Sequence, residues 1–350
     1  MPALLCCHPV TAASPPARVI EWQHDLSIFA SAQSATGAVA VARAVMSGVV
    51  ATPAGFGSGL AIGADGRVVA WDGKTVLPSG LSNILSISVH GVALALKNDG
   101  TVVAWGGSQS GQVSVPAGLS NVVAVSSGGG YSLALKRDGT VVGWGGEPFF
   151  RGVPSGVSNI VAIAATPSSN GYDVALRNDS TVVEWSLYGF IEVGRDPVIE
   201  NGVVVGYSAR LVDVHAVEGL SNVVAIAVGD QFGTFGPPPG YRLALKSDGT
   251  VFGWGANGGG QATGVATTNA PYQGSGLVKV DGQVLSNVVA IAAGYCGLAL
   301  KNDGTLVSWG SAVHRPAVVP PGLSNVVAIA ARDNSYFAVM TNATAANSRR

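Results

Sequence analysis

The chain has 350 residues, room for one large repeat-built domain or two ordinary ones. Apolar residues make up 47% of it and charged residues 11%, against about 25% in an average soluble protein, which excludes a disordered chain. The 19 basic residues face 20 acidic ones without clustering, so nothing is arranged to neutralise phosphates and no nucleic-acid partner is expected.

Residues 1–17, MPALLCCHPVTAASPPA, read as a leader or disordered tail. They carry a short apolar patch but no basic stretch in front of it; an atypical secretion signal is the alternative. No apolar run is long enough to span a membrane as a helix, so no membrane insertion is expected. Cys6, Cys7 and Cys296 make neither a disulfide framework nor a metal spacing. The 49 glycines follow no triplet period and point to many short strands joined by tight turns. The segment ARVIEW, ending at Trp22, is a strand with no strands before it.

From there a unit recurs. A degenerate copy ends in ADGRVVAW at Trp71, and fuller ones follow at 81–106, 119–145 and 285–310. Weaker copies run from VSN at 157 to Trp185 and from LSN at 220 to Trp254, and a last one begins with LSN at 323. In each, LSNVVAIA reads as a strand buried on both faces. A Gly-rich loop, the strand xLALK, an Asp-Gly hairpin turn and a strand ending in Trp complete the unit. Asp65-Gly66, Asp99-Gly100, Asp138-Gly139, Asp248-Gly249 and Asp303-Gly304 supply the positive φ that a tight hairpin needs; Asp179-Ser180 is the exception. One small sheet per repeat of about 40 to 50 residues selects a β-propeller.

The seven tryptophans (Trp22, Trp71, Trp105, Trp144, Trp185, Trp254, Trp309) number the blades. The last copy lacks a Trp strand and the N-terminal segment has a Trp strand alone. The expected fold is therefore all-β, a seven-bladed propeller over residues 18–341 whose last blade is closed by residues 18–24. Residues 342–350 are read as a polar C-terminal tail. Closure would leave no exposed edge at the seam.

The motifs LSNVVAIAAG, RLALKSDGTV and AWG resemble the regulator of chromosome condensation repeat. The short spacing and the leads Val115-Pro116 and Val319-Pro320 are closer to bacterial members, one of which is a secreted, seven-bladed inhibitor of β-lactamase. The resemblance implies a propeller of that type and, by analogy with those members, a secreted or cell-surface location. It does not single out an activity, because the fold serves many. The family's His before LALK is replaced by Tyr131, Tyr172 and Tyr241. The light-sensing members' Gly-Trp-Arg sequence is missing, and so is the charge of the nucleotide-exchange members.

In antiparallel sheets the loops after the first and third strands emerge together, opposite the Asp-Gly turns. The irregular insertions 186–219, 229–240 and 255–284 all belong to that class, so they are expected on one face. Aromatics recur there, and rigid aromatics make good interface anchors. Candidate binding residues are Phe56, His90, Tyr131, Phe149, Phe150, Tyr172, Tyr188, Phe190, Phe232, Phe235, Tyr241, Tyr295 and Tyr336. For Tyr131, Tyr172 and Tyr241, at one fixed repeat position, packing between blades is the competing reading. His90 is expected in a solvent-facing loop.

Catalytic constellations are poor. His8, His24, His90, His215 and His314 show no zinc spacing, so no metal and no cofactor are expected. Asp173, Glu184, Glu192, Asp196, Glu200, Asp213, Glu218, Asp230 and Asp281 lie outside the hairpin turns, and nothing sets an acid/base separation among them. Asn257-Gly258-Gly259-Gly260 reads as flexible punctuation. The leading expectation is a non-enzymatic scaffold that binds a protein partner, an inhibitor being one form of it. The alternative is an enzyme or small-ligand binder with a site at the tunnel mouth or under the insertions 186–219 and 255–284.

Overall fold

The computed structural model describes residues 17–23, 41–47, 49–51, 60–63, 65–70, 76–107, 111–146, 152–167, 172–186, 191–200, 203–212, 214–229, 240–269, 272–310, 318–332 and 335–341. Among them there is no helix; every regular element is a strand.

The chain enters with β1 (Ala17–Gln23) and β2 (Val41–Ser47). Three three-stranded sheets follow. They are β3 (Val49–Ala51), β4 (Leu60–Gly63) and β5 (Val68–Ala70); β6 (Ile84–His90), β7 (Val92–Lys97) and β8 (Val102–Gly106); and β9 (Val122–Ser127), β10 (Tyr131–Lys136) and β11 (Val141–Gly145). Next come β12 (Ile160–Ala164), β13 (Asp173–Arg177) and β14 (Val182–Trp185). The inserted hairpin of β15 (Ile191–Glu200) and β16 (Val203–Val212) then leads into β17 (Val214–Ala216), which joins the same sheet beside β14. The sheet of β18 (Val223–Gly229), β19 (Tyr241–Lys246) and β20 (Val251–Ala256) also gains a fourth strand, β21 (Gln273–Leu277). A short hairpin, β22 (Lys279–Val280) and β23 (Gln283–Val284), leads to β24 (Val288–Ala293), β25 (Gly297–Lys301) and β26 (Leu306–Trp309). The chain returns through β27 (Val326–Arg332) and β28 (Ser335–Thr341), which share a sheet of order β2-β1-β28-β27 with the N-terminal strands. Within it β1 is antiparallel to β28, with Trp22 opposite Tyr336.

The repeat has a physical reason at the Asp-Gly end. The Asn of each LSN takes a left-handed conformation, φ 57° at Asn83 and Asn121 and 58° at Asn159 and Asn222. That turns its carbonyl onto the hairpin of its own sheet. Asn98 N–H donates to Asn83 O at 2.9 Å, Arg137 to Asn121 at 2.8 Å, Ser247 to Asn222 at 2.8 Å and Asn302 to Asn287 at 2.9 Å. The next residue donates to the hairpin glycine of the preceding sheet: Val122 N–H to Gly100 O and Ile160 N–H to Gly139 O, both at 3.1 Å. Gly139 has φ +81°, and a Cβ there would sit 3.2 Å from Ile160 N, so two demands for glycine coincide. At the exception, Ser180 holds φ 66° and its carbonyl accepts from Val223 at a longer 3.3 Å. Each hairpin Asp also accepts from the residue two on, Arg67 N–H for Asp65 and a Thr for Asp99, Asp138, Asp179, Asp248 and Asp303; Asp99 Oδ1 takes Thr101 N–H at 2.9 Å and its hydroxyl at 2.6 Å. These bonds hold the carboxyls of Asp99, Asp138, Asp179, Asp248 and Asp303 below the ordinary range.

The core lies between neighbouring sheets. Leu133 and Leu135 of β10 pack with Ile160, Ile163, Val183 and Trp185 of the following sheet, and Leu176 of β13 with Val223, Ile226 and Ala244 of the one after. Leu94, Leu133, Leu243 and Leu298, at one repeat position, are completely buried, each contributing about 2 kcal/mol relative to exposure. The first strands lie against one another from sheet to sheet, β6 on β9 and β24 on β27, which makes them the inner edge of the array. They differ from the sequence expectation in one respect. A bulge repeats at their second residue, skipping Leu85, Val289 and Val327 in the pairing with the next strand. The unpaired residue turns away from the core, leaving these side chains 43%, 40% and 55% exposed where burial on both faces was expected.

Candidate functional site

Antiparallel pairing places the starts of the second strands and the ends of the third strands at the end of each sheet opposite the Asp-Gly turns. One position there, the residue before L-A-L, pairs with the blade's tryptophan: Ala93 with Trp105, Ser132 with Trp144 and Gly297 with Trp309. It is small for steric reasons, since a Cβ on Gly297 would overlap the Trp309 indole. In two sheets that are consecutive in the chain this position is charged instead. Asp173 pairs with Trp185 and Arg242 with Trp254, and Glu184 stands just before Trp185 where other copies carry Ala104, Gly143, Gly253 or Ser308.

Arg242 pairs with Glu184, and its charge also acts on Asp173. Arg242, 1% exposed, brings Nε to 3.7 Å from Glu184 Oε2. It lies over the Tyr172 ring, with Cζ 5.1 Å from the centroid, and its Nη groups donate to Gly240 O at 3.3 Å and Tyr172 O at 3.4 Å. Glu184 Oε2 accepts from Trp254 Nε1 at 3.1 Å, and Oε1 faces His215 Nδ1 of β17 at 3.3 Å. Asp173, 1% exposed, accepts the Tyr131 hydroxyl from β10 and Thr166 N–H at 2.8 Å on one oxygen. Its Oδ2, like Arg242 Nε, has no hydrogen-bond partner among the described residues.

Burial raises the Asp173 carboxyl to about 7, against the pull of Tyr131, Thr166 and the Arg242 charge. Burial would raise Glu184 too, but its bond to His215, the Arg242 charge and the Trp254 indole outweigh that and hold it below its ordinary value. His215, bonded to Glu184 and near Glu218, is raised above its usual 6.5.

The same tryptophans explain why Glu184 is where it is. Trp144 Nε1 donates to Gln112 O at 2.7 Å, and Trp309 Nε1 to Gln261 O at 3.0 Å. Each acceptor lies in a Gly-Gln loop that follows the preceding sheet. The segment before β18 has no Gly-Gln, because the insertion 186–219 replaces it, and the Glu184 carboxylate takes the Trp254 indole instead.

The sequence candidates divide. Phe56, Phe149, Phe150, Tyr188, Phe190, Phe232 and Phe235 lie outside the described residues. Tyr131 and Tyr241, as in the reading that packs them between blades, and Tyr336, a binding candidate, are turned inward between sheets, with exposures of 1%, 0% and 0%. Gly128 and Gly229 make room for two of them, since a Cβ on either would overlap the Tyr131 or Tyr241 ring. The Tyr336 hydroxyl accepts Cys296 N–H at 3.0 Å, and burial pushes its ionisation well above 10. Tyr172 is half-buried beneath Arg242, and Tyr295 is half-buried against the core between β25 and β28. His90 is not in a loop but ends β6, with Nδ1 buried and without a hydrogen-bond partner among the described residues.

The reading of 257–260 as flexible punctuation is overturned as well. The Asn257 side chain binds Thr263 Oγ1 at 3.0 Å, Val265 O at 2.8 Å, Thr267 Oγ1 at 2.9 Å, and the Ala262 and Thr263 N–H groups at 3.0 Å. The loop is knotted around one buried amide. Among the described residues no group of three His, Cys, Asp or Glu side chains could hold a metal ion, and no helix is long and apolar enough to cross a membrane.

Residues 122–149 match the model of the Regulator of chromosome condensation (RCC1) repeat. No curated protein matches the chain in sequence. Among solved structures, yeast RCC1 (Prp20) bound to Kap60 is similar with a TM-score of 0.62 at 15% identity, over 97% of this chain and 91% of that one. Prp20p from Saccharomyces cerevisiae, studied for its binding to Gsp1p and histones, gives 0.58 at 16% identity over 82% and 81%. Human WBSCR16 gives 0.58 at 16% identity over 93% and 99%. At these identities the likeness shows the fold: the chain is an all-β protein folded like the RCC1 propellers, with an RCC1 repeat at residues 122–149.

Proposed function

We propose that the chain is a non-enzymatic scaffold that takes hold of a protein partner through the insertions and aromatic loops of one face. The observation that carries the reading is the convergence of three insertion roots. Glu184 and His215 flank the insertion with the β15–β16 hairpin, Arg242 follows residues 229–240, and Trp254 precedes residues 255–284, all within one bonded cluster. Long segments rooted together on a rigid array are placed to act as one surface. The proteins that Prp20 meets in the similar structures, Gsp1p, histones and Kap60, are in keeping with such a role.

The architecture we infer is a seven-bladed ring over residues 18–341, flanked by a leader at 1–17 and a tail at 342–350. Its closure by the N-terminal strand is supported by the β1–β28 pairing and by β28 lying against β3. Inhibition of a secreted enzyme, as in the bacterial members that the sequence resembles, is the form of binding we favour. Incubation with secreted hydrolases tests it, and uniformly unchanged rates would remove it.

Phe232 and Phe235 sit in the segment that breaks the repeat most sharply. Replacing both with Ala should weaken capture of a partner co-purified with the full chain by tenfold or more, about 1.4 kcal/mol, with an unchanged melting curve. Undiminished capture would place the docking surface elsewhere.

A further inference from the structure

The cluster that gathers the insertion roots joins a buried carboxyl, Asp173, raised to about 7, to a histidine, His215, whose bond to Glu184 raises it above its usual value. Asp173 is faced by Tyr131 of β10, the Thr166 backbone and Arg242 of β19. Glu184 is faced by His215 of β17, Arg242 of β19 and Trp254 of β20, and His215 also feels Glu218. One guanidinium is therefore ion-paired with Glu184 and within electrostatic reach of Asp173. Its Nε and Asp173 Oδ2 are both without hydrogen bonds among the described residues, so each has unused capacity.

We propose that this cluster is a proton-sensitive tie for the insertions, gripping β17 at acid pH and releasing it as the pH rises through neutrality. The inference rests on the docking reading above and adds its regulation. At acid pH Asp173 is neutral, so Arg242 belongs to Glu184, and a charged His215 holds the same carboxylate from β17. As the pH rises, His215 loses its charge and its charge-assisted bond to Glu184 weakens. Asp173 gains a charge as the pH passes about 7 and competes for Arg242. Both changes loosen the foot of the β15–β16 hairpin. The pairing of His215 with Glu184 in the β14–β17 register makes that foot depend on the cluster and not on backbone bonds alone.

Hydrogen exchange of the full chain at pH 6 and pH 8, corrected for intrinsic rates, tests this without any partner. Protection of residues 214–217 should fall about tenfold or more, the factor that corresponds to one pKa unit. Protection of the opposite-face turn at residues 97–101 should not change. Asp173→Asn, which imitates the neutral acid, and His215→Gln, which keeps a neutral hydrogen bond, should each shrink the fall; together they should abolish it. An equal loss at 97–101, or an undiminished fall in both variants, would overturn the proposal. His215 is 33% exposed and its replacement is mild, so that variant stays informative if Asp173→Asn folds poorly. Since no partner enters the measurement, failure of the docking reading leaves the result interpretable.

Discussion

Asp173 is the residue on which pH acts most directly. Its ordinary value is 3.8 and its value in the fold is about 7, so the folded state favours the neutral acid. The stability this group contributes is therefore complete below pH 3.8 and is lost as the pH rises through 7. At about 1.4 kcal/mol per pKa unit, the loss by pH 8 reaches about 4 kcal/mol. His215 acts in the same sense, because its raised value means that its bond to Glu184 is strongest while the imidazole stays charged, and it is lost as the pH rises. Thermal melting of the wild-type chain should accordingly drop between pH 5 and pH 8. Asp173→Asn should flatten that slope and melt higher than wild type at pH 8; parallel slopes would mean that Asp173 is charged throughout.

At the scale of elements, the 255–284 insertion is held both by Ala262 and Val278, completely buried in the core beside the neighbouring sheets, and by polar bonds. Asn257 satisfies the Ala262 and Thr263 amides and reaches Thr267, while Gln261 O receives the Trp309 indole of the next sheet. Asn257→Ala would leave two buried donors unsatisfied, a cost of about 1–3 kcal/mol each. A destabilisation of about 3 kcal/mol, with early loss of exchange protection at residues 262–263, is expected. Unaltered protection there would show that the Gly260 turn, φ +80°, suffices to shape the loop. The LSN latches act at the same scale. They tie one sheet to the next through backbone atoms, and they explain why each repeat carries an Asn able to take positive φ.

For the whole molecule, the seam is the decisive place. β1 sits between β28 and β2, and its Trp22 faces Tyr336 as Trp144 faces Ser132. Removing residues 1–25 takes a complete strand from that sheet, and the melting temperature should fall by the equivalent of several kcal/mol. Trp22→Ala alone should cost about 3–5 kcal/mol, the range for emptying a buried aromatic site. A truncated chain that melts at the original temperature would show that another segment closes the ring.

The sequence by itself determined the repeat, the strands and hairpin turns within it, and the pairing of the N-terminal strand with the last copy. Those features are written in local terms: alternating burial, Asp-Gly turns, and a Trp at one offset. Only the tertiary structure decided what happens where the repeat is broken. Asp173 and Glu184 were visible as carboxylates outside the turns, yet nothing local marks Arg242 as their partner. The signal that could have found them is a comparison down the repeat, where charged residues stand in two columns that are otherwise nearly all small. Tyr131 and Tyr241, at one fixed repeat position, left packing between blades and surface recognition both open in one dimension, and the structure decides for packing because Gly128 and Gly229 leave room for their rings. The cluster joins residues up to 70 apart in the chain, as Glu184 and Trp254 are, and that juxtaposition is set by packing, not by periodicity.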